Sequence, residues 1–340
     1  MTTHARFADD IDSATVARIE ATLLELDLTE LTGDLSIQRL VGGGMNQNFV
    51  IDSTVGRYVL RIAGTEIERY GIDRELGVSG HRHAAAAGVA PRLCGVVMPQ
   101  ADLVVPFVQG RVLDGDILCE PGVLERCVDL ISRTHYAEPV DGEFSIFQDA
   151  RRYLGIIADE KLTAPSDLDH LAATMSDVED VFAAVNSPKV LGHNDLQLQN
   201  FIIGDDRAWL LDWEYTGMSN PYLDLSMLLC YGDVPTDRRD AALQRYFGVI
   251  READHARIEL MYLAATMREA LWAIAASPLN AETGFDYRAW ADKFVTRAHK
   301  QVSSEVFGKA MKAAGPVEDD ARIFERARAI ALDSADSAAV

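Results

Sequence analysis

The sequence predicts an α+β fold, and three observations carry that reading. Short β-type runs near residues 35–41, 47–52, 57–63, 92–97 and 101–107 fill the first third of the chain. From about residue 118 onward the apolar residues recur at helical spacing, as in the spans 120–136, 148–161 and 168–186. A single hairpin pattern near residues 200–211 interrupts the helices. Strands gathered first and helices after them mark a segregated α+β chain, not alternating βαβ units.

The hairpin organises the rest. Phe201–Ile203 and Ala208–Leu211 are apolar runs joined by Gly204-Asp205-Asp206-Arg207, a turn cluster. The start of the first strand of a hairpin lies beside the end of the second. Asn200 and Asp212 therefore fall at one open end, with Asp195 in the loop just before it. Two oxygen ligands and a free carboxylate at one place suit Mg²⁺ carrying a phosphate next to a group that activates a hydroxyl.

Ahead of the first strand, residues 8–30 read as a helix, with Val16, Ile19, Leu23, Leu24 and Leu28 at roughly helical spacing. Between the first two strands, Gly42, Gly43 and Gly44 let backbone N–H groups approach an anion with no Cβ in the way. In the third strand, period two puts Tyr58, Leu60 and Ile62 on one face and Arg61 on the other. A charge in so apolar a strand needs a partner. Ile72 to Ala87 forms the following helix, closed by Gly88 before Pro91. The last stretches, about 236–250, 254–277, 287–313 and 318–332, are helical, and the tail from Asp333 is frayed.

Bulk properties narrow the partners. The formal net charge of −21 disfavours nucleic acid and favours solubility, with a mild preference for a cationic small substrate. Cys94, Cys119, Cys127 and Cys230 show no Cys-x-x-Cys spacing, which fits free thiols in a reduced cytoplasm. No apolar signal region opens the chain and no run reaches the length of a membrane span, so no stable membrane insertion is expected.

His193, Asp195 and Asn200 form the pattern His-x-Asp-x₄-Asn, and Asp212-Trp213-Glu214-Tyr215 follows it. Together these resemble the choline/ethanolamine kinase-like branch of the aminoglycoside phosphotransferase and protein-kinase-like superfamily. The resemblance implies a two-lobed protein-kinase-like fold, with an N-terminal nucleotide-binding lobe over 1–107 and a C-terminal catalytic lobe over 111–340. It implies ATP and Mg²⁺ as cofactors. Asp195 would orient or deprotonate the acceptor hydroxyl, Asn200 and Asp212 would hold Mg²⁺, and His193 and Asp224 would brace the loop. Gly42, Gly43, Gly44 and Asn46 match the family's nucleotide loop, with Phe49 in register. Arg61 stands where protein kinases have the phosphate-binding lysine; its partner would be Glu75, or Glu68 as the alternative. The segment 104–110 resembles the hinge, with adenine meeting the chain at Phe107 and Val108; Val41, Leu60 and Phe107 would line the pocket or belong to the core.

For the acceptor, Arg268–Ile274 and Gly284–Trp290 resemble segments that enclose a quaternary ammonium in choline kinase-like enzymes. The residues so implied are Glu214, Tyr215, Glu269, Trp272, Asp286 and Trp290. An aromatic face is worth roughly 0.5–2 kcal/mol to such a cation, and helix tryptophans serve equally well as core. Three residues depart from the family: Asn220 replaces an Asp, Tyr231 stands where eukaryotic choline kinases have Glu, and Glu269 stands where they tend to have a second Trp. The implied acceptor is a small cationic alcohol, choline or ethanolamine. An aminoglycoside or thiamine kinase remains open, as does a catalytically silent nucleotide-binding regulator, and the sequence leaves room for a homodimer.

Overall fold

A computed structural model describes residues 4–40, 46–185, 187–279, 285–316, 325–326 and 328–330. The first third is a six-stranded sheet: β1 (His4–Phe7), β2 (Asp34–Leu40), β3 (Gln47–Asp52), β4 (Arg57–Ile62), β5 (Gly95–Val97) and β6 (Asp102–Pro106), in spatial order β1-β2-β3-β4-β6-β5. All pairs are antiparallel except β1 with β2. Strand β1, which the sequence pattern did not mark, adds a parallel edge. Helix α1 (Ser13–Leu26) starts at Asp12, whose carboxylate accepts from the Ala14 and Thr15 N–H groups.

The two faces of this sheet do different things. Ile37, Phe49, Ile51, Tyr58, Leu60 and Val104 point to one side and pack with Ile19 of α1 into a closed core. The opposite face carries the register row Val50–Val59–Val105, with Arg61 beside it. Leu60 therefore belongs to the core and not to a nucleotide pocket. Period two already separates it from Arg61; Val59 is the apolar neighbour on the Arg61 face.

Helix α2 (Arg74–Ala86) is capped by Asp73, which accepts from Leu76 N–H. Two glycines set how it docks: a Cβ on Gly77 would lie 3.3 Å from the Trp213 carbonyl, and one on Gly80 would strike the Thr216 side chain. After β6 the chain runs through residues 107–110 into the two-residue strand β7 (Arg111–Val112). Helices α3 (Gly115–Leu118), α4 (Val123–Tyr136), α5 (Ile146–Asp159) and α6 (Leu168–Ala183) follow, then β8 (Val190–Gly192). The predicted hairpin is present as β9 (Phe201–Ile203) and β10 (Ala208–Leu210), with β7 joined to its free side. Strand β11 (Gly217–Ser219) pairs back to β8 and leads into α7 (Tyr222–Tyr231) and α8 (Thr236–Phe247).

Helix α9 (Glu252–Ala276) is the axis of the helical region and is buried almost all round, as its Ala-, Leu- and Met-rich sequence requires. Its buried charges all have partners. Arg257 donates to the Ala314 and Gly315 carbonyls and to the Tyr222 hydroxyl, which in turn donates to Asp254. The helix predicted over 287–313 is two, α10 (Tyr287–Val302) and α11 (Glu305–Ala313), because the Ser304 hydroxyl caps the second by accepting from Phe307 N–H. The helix predicted over 318–332 lies mostly outside the described residues, as do Val41, Gly42, Gly43 and Gly44. Among the described residues no helix is long and apolar enough to cross a membrane.

Candidate active site

The loop between β8 and β9 and the turn out of β10 meet as the hairpin geometry requires. Leu211 N–H donates to the Asn200 carbonyl at 2.8 Å, which sets Asn200 beside Asp212. The Asn200 amide donates to the Asp195 carbonyl at 2.9 Å, so its Nδ2 is committed to the loop and its Oδ1 faces away from that bond. Asp212 sits at φ 65°, a left-handed conformation that costs most residues roughly 1–2 kcal/mol. Its side chain is 41% exposed, against 20% for Asp195. The loop carboxylate and the turn carboxylate are thus both partly open.

His193 is not open. Fully buried, it donates from Nε2 to the Leu211 carbonyl at 2.8 Å, while Nδ1 receives the Asp195 N–H at 3.3 Å. Burial holds its pKa below the ordinary value, so the ring is neutral. It bridges the loop and the hairpin and does not face the cleft. Asp224, at the start of α7, accepts from His193 N–H at 2.9 Å and Asn194 N–H at 2.8 Å. It also accepts from His135 Nε2 at 3.1 Å, and the Tyr246 hydroxyl stands 2.5 Å from the other nitrogen of that ring. This buried carboxylate fixes the loop that carries Asp195.

Burial alone would raise the Asp224 carboxyl; the hydrogen bonds it accepts, from His135 first and then from the His193 backbone N–H, outweigh it and hold the group below the ordinary aspartate range. A depressed folded-state pKa contributes stability above the unfolded value, about 3.9, that is lost as pH falls through the folded value. Asp224→Asn is therefore expected to lower stability by about 2–5 kcal/mol at pH 7, with the deficit against the parent shrinking below about pH 4. Urea midpoints from pH 7 to 3 measure it; a gap that stayed constant with pH would exclude ionised Asp224 as its source.

From the sheet side, Arg61 extends from β4 and donates to Asp212 at 3.0 Å, with Glu214 also 3.0 Å away. The Asn46 amide donates to Glu214 at 2.9 Å, and Asn46 Oδ1 accepts from Gly64 N–H at 3.1 Å. Burial pushes the Glu214 carboxyl up to about 7, against the lowering pull of Arg61. Two assignments change here. Glu75, expected to pair with Arg61, is exposed on α2 and makes no ion pair among the described residues. Its helix turns the Gly77–Gly80 side toward Trp213–Thr216, and two residues earlier the side chain points away. Glu68, the alternative, pairs with Arg74. Glu214, expected to face the acceptor, is the carboxylate that holds Arg61. Phe107 and Val108 are half-buried, and Phe107 N–H donates to the Arg57 carbonyl at 2.9 Å.

A second cluster at Asp195 centres on a residue the sequence did not single out. Arg268 of α9, only 2% exposed, donates from Nη1 to Asp195 at 2.9 Å and to Glu269 at 3.2 Å, and its Nε lies 3.5 Å from Asp149. Its guanidinium stacks 4.4 Å from the centre of the Tyr215 ring. The Tyr215 face expected to receive a substrate cation is thus covered by an internal one. Glu269 also accepts from the Tyr231 hydroxyl and the Trp290 indole, each at 3.1 Å. Two of the three departures noted in the sequence, Tyr231 and Glu269, are therefore partners in one contact. Trp272, Phe285, Tyr287 and Trp290 form one cluster of edge-on and tilted rings; Phe285 lies 6.3 Å from Trp272 and 5.5 Å from Trp290, centre to centre. Asp286 is the N-cap of α10, accepting from Ala289 N–H at 2.9 Å, which explains its presence without a ligand.

Residues 36–261 match the family described as phosphotransferase enzymes. The chain belongs to the phosphotransferase enzyme family. Among curated relatives, Protein LicA of Haemophilus influenzae is 27% identical over 217 residues, a stretch covering 61% of this chain and 61% of LicA. Ethanolamine kinase 1 of Homo sapiens is 27% identical over 173 residues, 47% of this chain and 38% of the relative. Among solved structures, a choline/ethanolamine kinase family protein from Mesorhizobium loti superposes with TM-score 0.74 at 24% identity, covering 88% of this chain and 98% of that one. Choline kinase LicA from Streptococcus pneumoniae gives 0.71 at 20% identity, covering 86% and 99%. These likenesses establish the kinase-like α+β fold.

For a phosphotransferase, the donor set at the hairpin's open end fits a hard divalent cation. The half-buried carboxylate Asp212 follows directly on the residue paired with the Asn200 backbone, and the Asn200 amide nitrogen is already committed. Mg²⁺ takes one or two protein oxygens and completes its shell with water and phosphate. Asn200 and Asp212 would hold it, and it would neutralise charge on the transferred group.

Proposed function

We propose that this phosphotransferase moves the γ-phosphoryl group of ATP, with Mg²⁺, to the hydroxyl of a small cationic alcohol, with choline or ethanolamine the first candidates. The observation that carries the reading is the placement of Asp195, Asn200 and Asp212 at one end of the β9–β10 hairpin, with Arg61 reaching Asp212 from the sheet. ATP would lie between a lobe over 1–107 and a lobe over 111–340, its adenine against the Val50–Val59–Val105 face near Phe107 and Val108. Arg61, held by Glu214, presents its charge to the phosphates. Asp195 takes the acceptor's hydroxyl proton or orients that hydroxyl; positioning and charge neutralisation supply the rest.

The cationic acceptor is supported by charge. With every group ionised, Asp149, Asp195 and Glu269 give three negative charges against two positive ones on Arg152 and Arg268, a surplus of one that a monocation balances. Half-buried Trp272 and Trp290, with exposed Phe285 between them, offer aromatic surface beside it. The four free thiols support a reduced cytoplasm as its compartment. The test is Mg-ATP turnover with choline, ethanolamine, thiamine and a panel of aminoglycosides. Selective turnover of choline or ethanolamine is expected. Preference for an aminoglycoside or thiamine would replace the acceptor, and no ATP turnover with any of them would favour a silent nucleotide-binding protein.

A further inference from the structure

Between Asp195 and Asn200 the catalytic loop carries Leu196, Gln197, Leu198 and Gln199, and no cation. The positive charge at Asp195 comes instead from 73 residues along the chain, on α9. Arg268 meets three carboxylates, and they are not alike. Asp149 and Glu269 are buried and have other partners: Arg152 pairs with Asp149, and Tyr231 and Trp290 hold Glu269. Asp195 stands partly open to the cleft, and of its side-chain oxygens Oδ1 is the one Arg268 engages. A guanidinium presents its N–H groups in a rigid plane. Gripped by Glu269 and Asp149 and stacked on Tyr215, that plane offers Nη1 to Asp195 at a fixed height and angle.

We infer that Arg268 is a positioning residue for phosphoryl transfer: it fixes one carboxylate oxygen of Asp195, leaves the other for the acceptor hydroxyl, and ties Asp195 through Glu269 to Trp290 and Tyr231. The inference rests on the reading of Asp195 as the group that acts on that hydroxyl. A guanidinium serving only to neutralise buried charge would satisfy Asp149 and Glu269 and leave Asp195 to solvent. Here the shortest of its three carboxylate contacts is the one to the residue at the cleft. The link also gives the Tyr231–Glu269 contact a purpose, since it holds the far end of the same chain of hydrogen bonds.

A double-mutant cycle separates positioning from packing. Arg268→Met keeps most of the volume and removes the charge; Arg268→Lys keeps the charge and loses the plane. Each is made in the parent and in Asp195→Asn, and turnover is read with Mg-ATP plus choline, Mg-ATP plus ethanolamine, and as acceptor-free ATP hydrolysis. Melting temperature is measured alongside. In the parent, Arg268→Met should lower kcat about 30- to 100-fold with the ATP KM within about twofold, and Arg268→Lys should recover about tenfold of that loss. In the Asp195→Asn background the same changes should cost less than about threefold, because residues acting through one another are not additive. Equal losses in both backgrounds would overturn the inference, as would losses in kcat and ATP KM that merely follow melting temperature. Should Arg268→Met fail to fold, the Lys variant decides by the same comparison. If Asp195→Asn alone left turnover unchanged, the reading of Asp195 would fall and the inference with it, an outcome distinct from additivity.

Discussion

Asp195→Asn is expected to keep the fold and ATP binding while losing kcat by about 10²–10⁴-fold. The size of the loss follows from the direction in which the new amide must face. Arg268 Nη1 stands 2.9 Å from Asp195 Oδ1 and can only donate. The amide oxygen of an Asn will therefore turn to Arg268, and the NH₂ group will take the open position. An acceptor hydroxyl that met a hydrogen-bond acceptor in the parent now meets a donor, with nowhere to send its proton. The backbone contacts that fix the residue, its N–H to His193 and its carbonyl to Asn200, involve no carboxylate and persist. Calorimetric ATP affinity and melting temperature should both stay close to the parent's. Near-parental turnover in this variant would remove Asp195 from the chemistry.

How much of this was legible beforehand depended on how local each feature is. The hairpin was legible because two short continuous apolar runs flank a turn cluster, and pairing them brought Asn200 and Asp212 to one open end without further information. Asp224 falls in the first turn of α7, but its service to the loop depends on backbone N–H groups about thirty residues earlier. Strand β1 was not legible, because a four-residue parallel edge strand has too little pattern to register. Glu75 was misplaced for a similar reason. The helix was right, but its rotation is set by Gly77 and Gly80 against Trp213 and Thr216, a long-range packing fact. Arg268 was the deepest omission. Glu269 was read as facing the acceptor, but nothing local says that the helix is buried all round or that a loop carboxylate will meet its Arg268. Tyr215 followed from that: its ring was readable, but the guanidinium that covers it was not.

Asp212→Ala is expected to abolish the Mg²⁺-dependent part of stabilisation by ATP while leaving ATP alone able to bind. A ligand held only by the native state stabilises it by about 2.7 kcal/mol at a hundredfold excess over Kd. In a chain of this size that corresponds to a shift on the order of 5 °C. Two structural facts set the expected pattern. Arg61 keeps Glu214 as a partner when Asp212 is removed, so the phosphate-facing charge survives. The backbone at residue 212 is left-handed, which an Ala tolerates poorly and an Asn tolerates well. Asp212→Asn is therefore the control: it keeps the turn and removes the charge, and it too should lose most of the Mg²⁺-dependent shift. Loss in the Ala variant alone would trace the effect to the strained turn. An unchanged Mg²⁺-dependent shift in both would take Asp212 out of the metal site, leaving Asn200 without its partner across the hairpin.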